Sequence, residues 1–83
     1  MDSKEVEARV CSFIEKTLLG GNSEGLDQNT PLLELGVVDS MGITRLTTFL
    51  ETEFGLRVPV EELSAVNFAS IEAIARLVLR LSA

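Results

Sequence analysis

A chain of 83 residues forms one small domain, 1–83, and a domain of that size buries only roughly 60% of the surface its unfolded chain exposes. With Cys11 as its one cysteine and no histidine, it excludes an internal disulfide, the common zinc-ligand sets and any Ser-His or Cys-His nucleophilic pair of its own. Thirteen acidic residues against seven basic ones leave a net charge of −6, which repels nucleic-acid phosphates and favours basic partner surfaces.

The first helix is predicted from Val6, Val10, Phe13, Ile14 and Thr17, which fall at helical spacing and make one apolar stripe. Asp2 is placed to cap it, Glu5 completes a box-like signal, Glu5 and Arg9 form an i,i+4 pair, and Gly20-Gly21 end it. A long loop runs from about Asn22 to Asp39. Leu26, Leu32, Leu33, Leu35, Val37 and Val38 punctuate that loop, so much of it is expected to pack against helices, with Thr30-Pro31 fixing an extended or turn conformation.

The second helix is expected to start at Ser40, capped by Asp39, and to end at Phe54 before Gly55. Its broad apolar face is Ile43, Leu46, Phe49, Leu50 and Phe54. Val58-Pro59 leads into a short helical turn, Val60 to Leu63, and the last helix follows its cap Ser70 with Ile71, Ile74, Leu77, Val78 and Leu81 as the buried stripe. Glu72 and Arg76 make a second i,i+4 pair, and Arg76 and Arg80 suit the C-terminal end of the dipole. The pattern is all-α: a four-helix bundle of three main helices and one short one, with a long loop between helices I and II.

No apolar run approaches the ~20 residues of a membrane span, and Met1-Asp2-Ser3-Lys4-Glu5 lacks the basic-then-apolar layout of a signal peptide. A monomer in the cytoplasm, without membrane insertion, nucleic-acid binding or a metal site, is the expectation. So poor a stock of acid–base groups argues against an enzyme; function is expected to lie in being handled by other proteins.

The stretch from Thr30 to Met41 carries the functional signal. It places the Ser40 hydroxyl on the first turn of a helix, just after the capping Asp39, where unpaired N–H groups and the positive end of the dipole suit an attached phosphate. These residues resemble the acyl carrier and peptidyl carrier protein family. Leu35-Gly36-Val37-Val38-Asp39-Ser40-Met41 is similar to the family's Leu-Gly-x-Asp-Ser-Leu attachment motif with one extra residue after the glycine. Glu51 to Phe54 followed by Val58-Pro59 resembles the family's helix II ending and its Ile-Pro, and Asn67 to Ile74 is similar to the lead into its last helix.

The resemblance implies a 4′-phosphopantetheine arm attached to Ser40 by a phosphopantetheinyl transferase. The arm's thiol then carries a thioester, leaving Cys11 no part in the chemistry. It also implies a role for Asp39 in orienting the transferase, and partner contacts at Val38, Met41, Gly42 and Arg45. Carriers of fatty acid synthesis put acids two and five positions after the serine; here those positions hold Gly42 and Arg45, and like charges across a contact are costly. The Gly-hydrophobic-hydrophobic-Asp-Ser spacing looks more like free-standing aminoacyl carriers. The implied partners are therefore an adenylating or loading ligase and downstream tailoring, condensing or transfer enzymes, in specialised-metabolite biosynthesis (nonribosomal peptide or polyketide type) or D-alanyl transfer. The alternatives are a fatty-acid-type acyl carrier and an unmodified helical protein-interaction module. A hydrolase built on Ser40 lacks a histidine base.

Overall fold

The computed structural model describes residues 2–18 and 26–82. The expected helix stop at Gly20-Gly21 and the loop start at Asn22 lie outside the described residues. Three α-helices appear, α1 (Ser3–Phe13), α2 (Ser40–Phe54) and α3 (Ile71–Ser82), with a 3-10 turn at Val60–Glu62 between the last two. No strand occurs among the described residues. α1 continues through Ile14–Leu18 with π-helical bonding, which nothing in the residue spacing foreshadowed.

Each helix begins where a polar side chain satisfies an orphan N–H group. The Asp2 carboxylate accepts from the Glu5 N–H at 2.8 Å, Asp39 from Gly42, and Ser70 Oγ from Ala73 at 3.1 Å. The box expected at α1 is half made: the Glu5 side chain turns forward to Arg9, at 3.0 Å, instead of back to Asp2. α2 ends at Gly55, whose φ of 62° is left-handed.

The core is built around α3, which buries Ile71, Ala73, Ile74, Ala75, Leu77 and Val78. Val6, Val10 and Ile14 pack onto it from the first helical segment, Leu46 and Leu50 from α2, and Leu32, Val38 and Phe68 from the connections. Burial of side chains of this size contributes on the order of 1.5–3 kcal/mol each before entropy is charged against it. A second cluster closes the seam between α1 and α2. Phe13 stacks on Phe49 with centroids 4.3 Å apart, Phe49 meets Phe54 edge-on at 6.1 Å, and Arg9 lies over Phe54. Arg9 also reaches Glu53 at 2.9 Å, while Glu51 accepts from the Val58 N–H at 2.9 Å. Both late-helix carboxylates, unfavourable toward the dipole, thus have partners.

Two expectations about packing are corrected. Thr17 is exposed and not part of the α1 stripe. Leu35 is 64% exposed, because residues 31–35 close a helical turn, with the Leu35 N–H donating to Pro31 O at 3.0 Å. That turn faces Leu32 inward and Leu35 outward.

Candidate functional site: the mouth of α2

The loop before α2 is fastened at several points, and these set where Ser40 stands. Thr30 and Asp27 bond reciprocally: Asp27 N–H donates to Thr30 Oγ1 at 2.8 Å, and Thr30 N–H to Asp27 O at 3.2 Å. Leu32 is fully buried, and its N–H donates to Ala69 O at 2.9 Å; Glu72 N–H donates to Gln28 O at 3.0 Å. These bonds tie the loop to the start of α3, the most buried helix. Gly36 turns the chain at φ 74°, a conformation costly for other residues. Val38 then returns to the core and donates its N–H to Leu32 O at 3.2 Å. A buried valine thus stands two residues before Ser40.

Ser40 is exposed at the first position of α2. Asp39 has extended backbone geometry, and its Oδ1 accepts from Gly42 N–H at 2.8 Å while its carbonyl accepts from Ile43 N–H at 2.8 Å. Among the described residues, the N–H groups of Ser40 and Met41 have no intramolecular acceptor. An exposed hydroxyl beside two free N–H groups at the positive end of a helix can be esterified by phosphate and can stabilise the product. Among the described residues no group of three or more Cys, Asp or Glu could hold a metal ion.

Of the expected contact residues, the structure leaves two at the surface and takes two away. Met41 is 67% exposed, and Arg45 is exposed. Val38 is only 1% exposed and lies in the core, and Gly42 is buried against it, reaching only the floor of a crevice beside Ser40. A Cβ on Gly42 would stand 3.2 Å from Val38 Cγ1 and 3.5 Å from Asp39 Oδ1. The glycine thus lets helix and loop approach closely.

Sequence reasoning missed a shallow crevice of about 280 Å³ beside Ser40, where Thr17 and Leu18 meet Gly36 and Val37 and the Met41–Arg45 side of α2. It forms across segments far apart in the chain and leaves no local signal. Cys11 lies apart, half-buried on α1. Burial, a hydrogen bond to Glu15 at 3.1 Å and that carboxylate's charge push its thiol up to about 11, which leaves it a poor nucleophile.

Residues 9–78 match the family model described as "Phosphopantetheine attachment site". The chain belongs to that family. Its members carry 4′-phosphopantetheine covalently on a serine, and this chain is a carrier protein. The carrier is 37% identical over 78 residues to the probable acyl carrier protein PigG of Serratia sp. (strain ATCC 39006), covering 94% of this chain and 90% of that one. It is 38% identical over 58 residues to the D-alanyl carrier protein of Streptococcus sanguinis (strain SK36), covering 70% and 71%. Its fold is similar to a chain in the solved structure "Crystal structure of FAD-dependent dehydrogenase", with TM-score 0.78 and 37% identity over 84% of this chain and 99% of that chain. Among the described residues no helix is long and apolar enough to cross a membrane.

Proposed function

We propose that Ser40 is the serine that bears the arm, and that the carrier tethers an aminoacyl or acyl group there as a thioester. The observation that carries this is the exposed Ser40 hydroxyl at the capped first turn of α2, inside the matched segment 9–78. A phosphopantetheinyl transferase directs Ser40 Oγ onto the pantetheine-bearing phosphorus of coenzyme A. The pyrophosphate P–O bond breaks, adenosine 3′,5′-bisphosphate leaves, and the transferase takes the serine proton. The arm, when attached, supplies the thiol that forms the thioester. The residues of this chain hold the anchor: Asp39 fixes the first turn, the free Ser40 and Met41 N–H groups face the phosphate position, and buried Leu32 and Val38 keep the loop from shifting. The chain acts as substrate and holder, not as catalyst. A single cytoplasmic domain loaded by an adenylating ligase fits this reading.

The handling enzymes include, in this reading, a flavin-dependent dehydrogenase that oxidises the tethered group. The matched chain in the dehydrogenase structure is 99% covered by this 83-residue protein, so it is about the same length and too short for an FAD-binding dehydrogenase domain. A carrier chain accompanying the enzyme explains that match. Transfer of a D-alanyl group is the second reading, supported by the D-alanyl carrier relatives over about 70% of the chain.

Intact-protein mass spectrometry after incubation with coenzyme A and a broad-range transferase tests the anchor. Wild type is expected to gain one phosphopantetheinyl group and folded Ser40→Ala none. No gain in wild type, while a control carrier is modified, favours an unmodified interaction module.

A further inference from the structure

We propose that Arg45 is the counter-ion of the carrier's own arm: its guanidinium pairs with the phosphodiester on Ser40 and holds the first part of the arm over the crevice between the Ile14–Leu18 segment and α2. The proposal rests on the reading of Ser40 as the anchor, because that reading puts the phosphate at the mouth of α2.

The phosphate arrives by covalent attachment, as in the family whose model spans residues 9–78. As a diester it brings a further negative charge to a chain whose net charge is already −6. The first turn offers it the free N–H groups of Ser40 and Met41 and the positive end of the dipole, which are partial charges only. Asp39, next to Ser40, is an acid. Its Oδ1 accepts from the Gly42 N–H at 2.8 Å, but its full charge still opposes a phosphate beside it. A cation close by offsets that opposition.

Arg45 is the one cation among the residues lining the crevice, which it shares with Asp39, Met41 and Gly42 of the first turn. It follows Ser40 by five residues, roughly 7.5 Å along the axis of α2. Side chains on a helix lean toward its N-terminus, and an extended arginine covers most of that distance, leaving the rest to the serine-linked phosphate. Arg9, Arg76 and Arg80 each pair with a glutamate, whereas Arg45 is exposed and makes no ion pair among the described residues. The guanidinium fork matches the two free oxygens of a phosphodiester, so the pair is hydrogen-bonded as well as ionic. Leu18, Val37 and Met41 on the same crevice offer apolar contact to the dimethyl carbon that follows the phosphate in the arm.

Wild type, Arg45→Gln, Arg45→Lys and Arg57→Gln are treated with coenzyme A and a phosphopantetheinyl transferase, and attachment at Ser40 is checked by fragmentation mass spectrometry. Arg57 is an exposed arginine past the far end of α2 and controls for net charge. Melting temperatures before and after attachment are compared at low salt. Attachment is expected to raise the melting temperature of wild type and Arg57→Gln about 2–4 °C more than that of Arg45→Gln, with Arg45→Lys in between. The difference is expected to vanish in about 1 M NaCl. The phosphorus NMR resonance of the attached arm is expected to shift in Arg45→Gln and to stay in place in Arg57→Gln. Equal gains for wild type and Arg45→Gln, or a phosphorus resonance that Arg45→Gln leaves in place, overturn the pairing while the anchor at Ser40 stands. Wild type that gains no arm while a control carrier does, or gains it away from Ser40, overturns the anchor reading and the pairing with it.

Discussion

Removing the Asp39 cap tests whether one side chain holds the first turn of α2 and hence Ser40. In Asp39→Ala the 2.8 Å bond to the Gly42 N–H is lost, and a third N–H joins those of Ser40 and Met41 without an acceptor. Loss of such a cap costs about 1 kcal/mol, within a range of roughly 0.5–2. For a domain of this size each kcal/mol moves the melting temperature by about 4–8 °C, so Asp39→Ala is expected to melt about 4–8 °C below wild type. Asp39→Asn keeps an oxygen acceptor and removes the charge. Its loss is expected to be the charge–dipole part alone, about 0.3–1 kcal/mol. Leu46 and Leu50 still anchor the body of α2 in the core, so the damage is confined to the turn bearing Ser40, and arm attachment slows with it. Thermal melts followed by far-UV circular dichroism, with attachment rates measured on the same samples, give both readouts. Asp39→Ala melting within about 1 °C of wild type, or Asn failing as badly as Ala, would refute the capping argument.

Leu32→Ala empties a fully buried position that fastens the loop to α3. It is expected to cost about 2–5 kcal/mol in urea unfolding, a large share of the stability of so small a domain, and a loss under about 1 kcal/mol contradicts the anchoring role. Gly42→Ala should gain about 0.5–1 kcal/mol of helix propensity but meets the stiff, buried Val38 at 3.2 Å, so its stability is expected to stay near wild type. In a Val38→Ala background the same change is expected to stabilise, and simple additivity in the double-mutant cycle argues against the close contact. Cys11, its thiol pushed up to about 11, has only about a thousandth of its molecules ionised at pH 8. Iodoacetamide is expected to label the unmodified protein about a hundredfold more slowly than an unhindered thiol peptide, with a single fast thiol appearing once the arm is attached. Fast labelling of Cys11 contradicts that environment.

The elements that sequence reasoning placed well are those with local punctuation at both ends. α2 begins at Ser40 and ends at Phe54 because Asp39 caps one end and Gly55 adopts left-handed geometry at the other, both recognisable from residue type alone. Ser70 marks α3 in the same way. The exposed place of Ser40 at the first position of α2 was legible from its position after the cap.

The loop was harder, since residues 26–39 follow no single period. Leu32 faces in and Leu35 faces out through a turn whose closing bond cannot be seen in the string of apolar letters. Val38 and Gly42 each lie two residues from Ser40 in sequence yet pack against each other, because the loop must return to the core before α2 starts. The π-helical bonding of Ile14–Leu18 and the crevice beside Met41 depend on tertiary packing and carry no sequence cue.

The most direct measurement is fragmentation mass spectrometry of the protein after transferase treatment, locating the added group along the chain. The expected result is a single phosphopantetheinyl group on Ser40, with every fragment lacking that residue unmodified. An arm found on another hydroxyl, such as Thr44, or spread over several, would contradict a first-turn anchor held by Asp39.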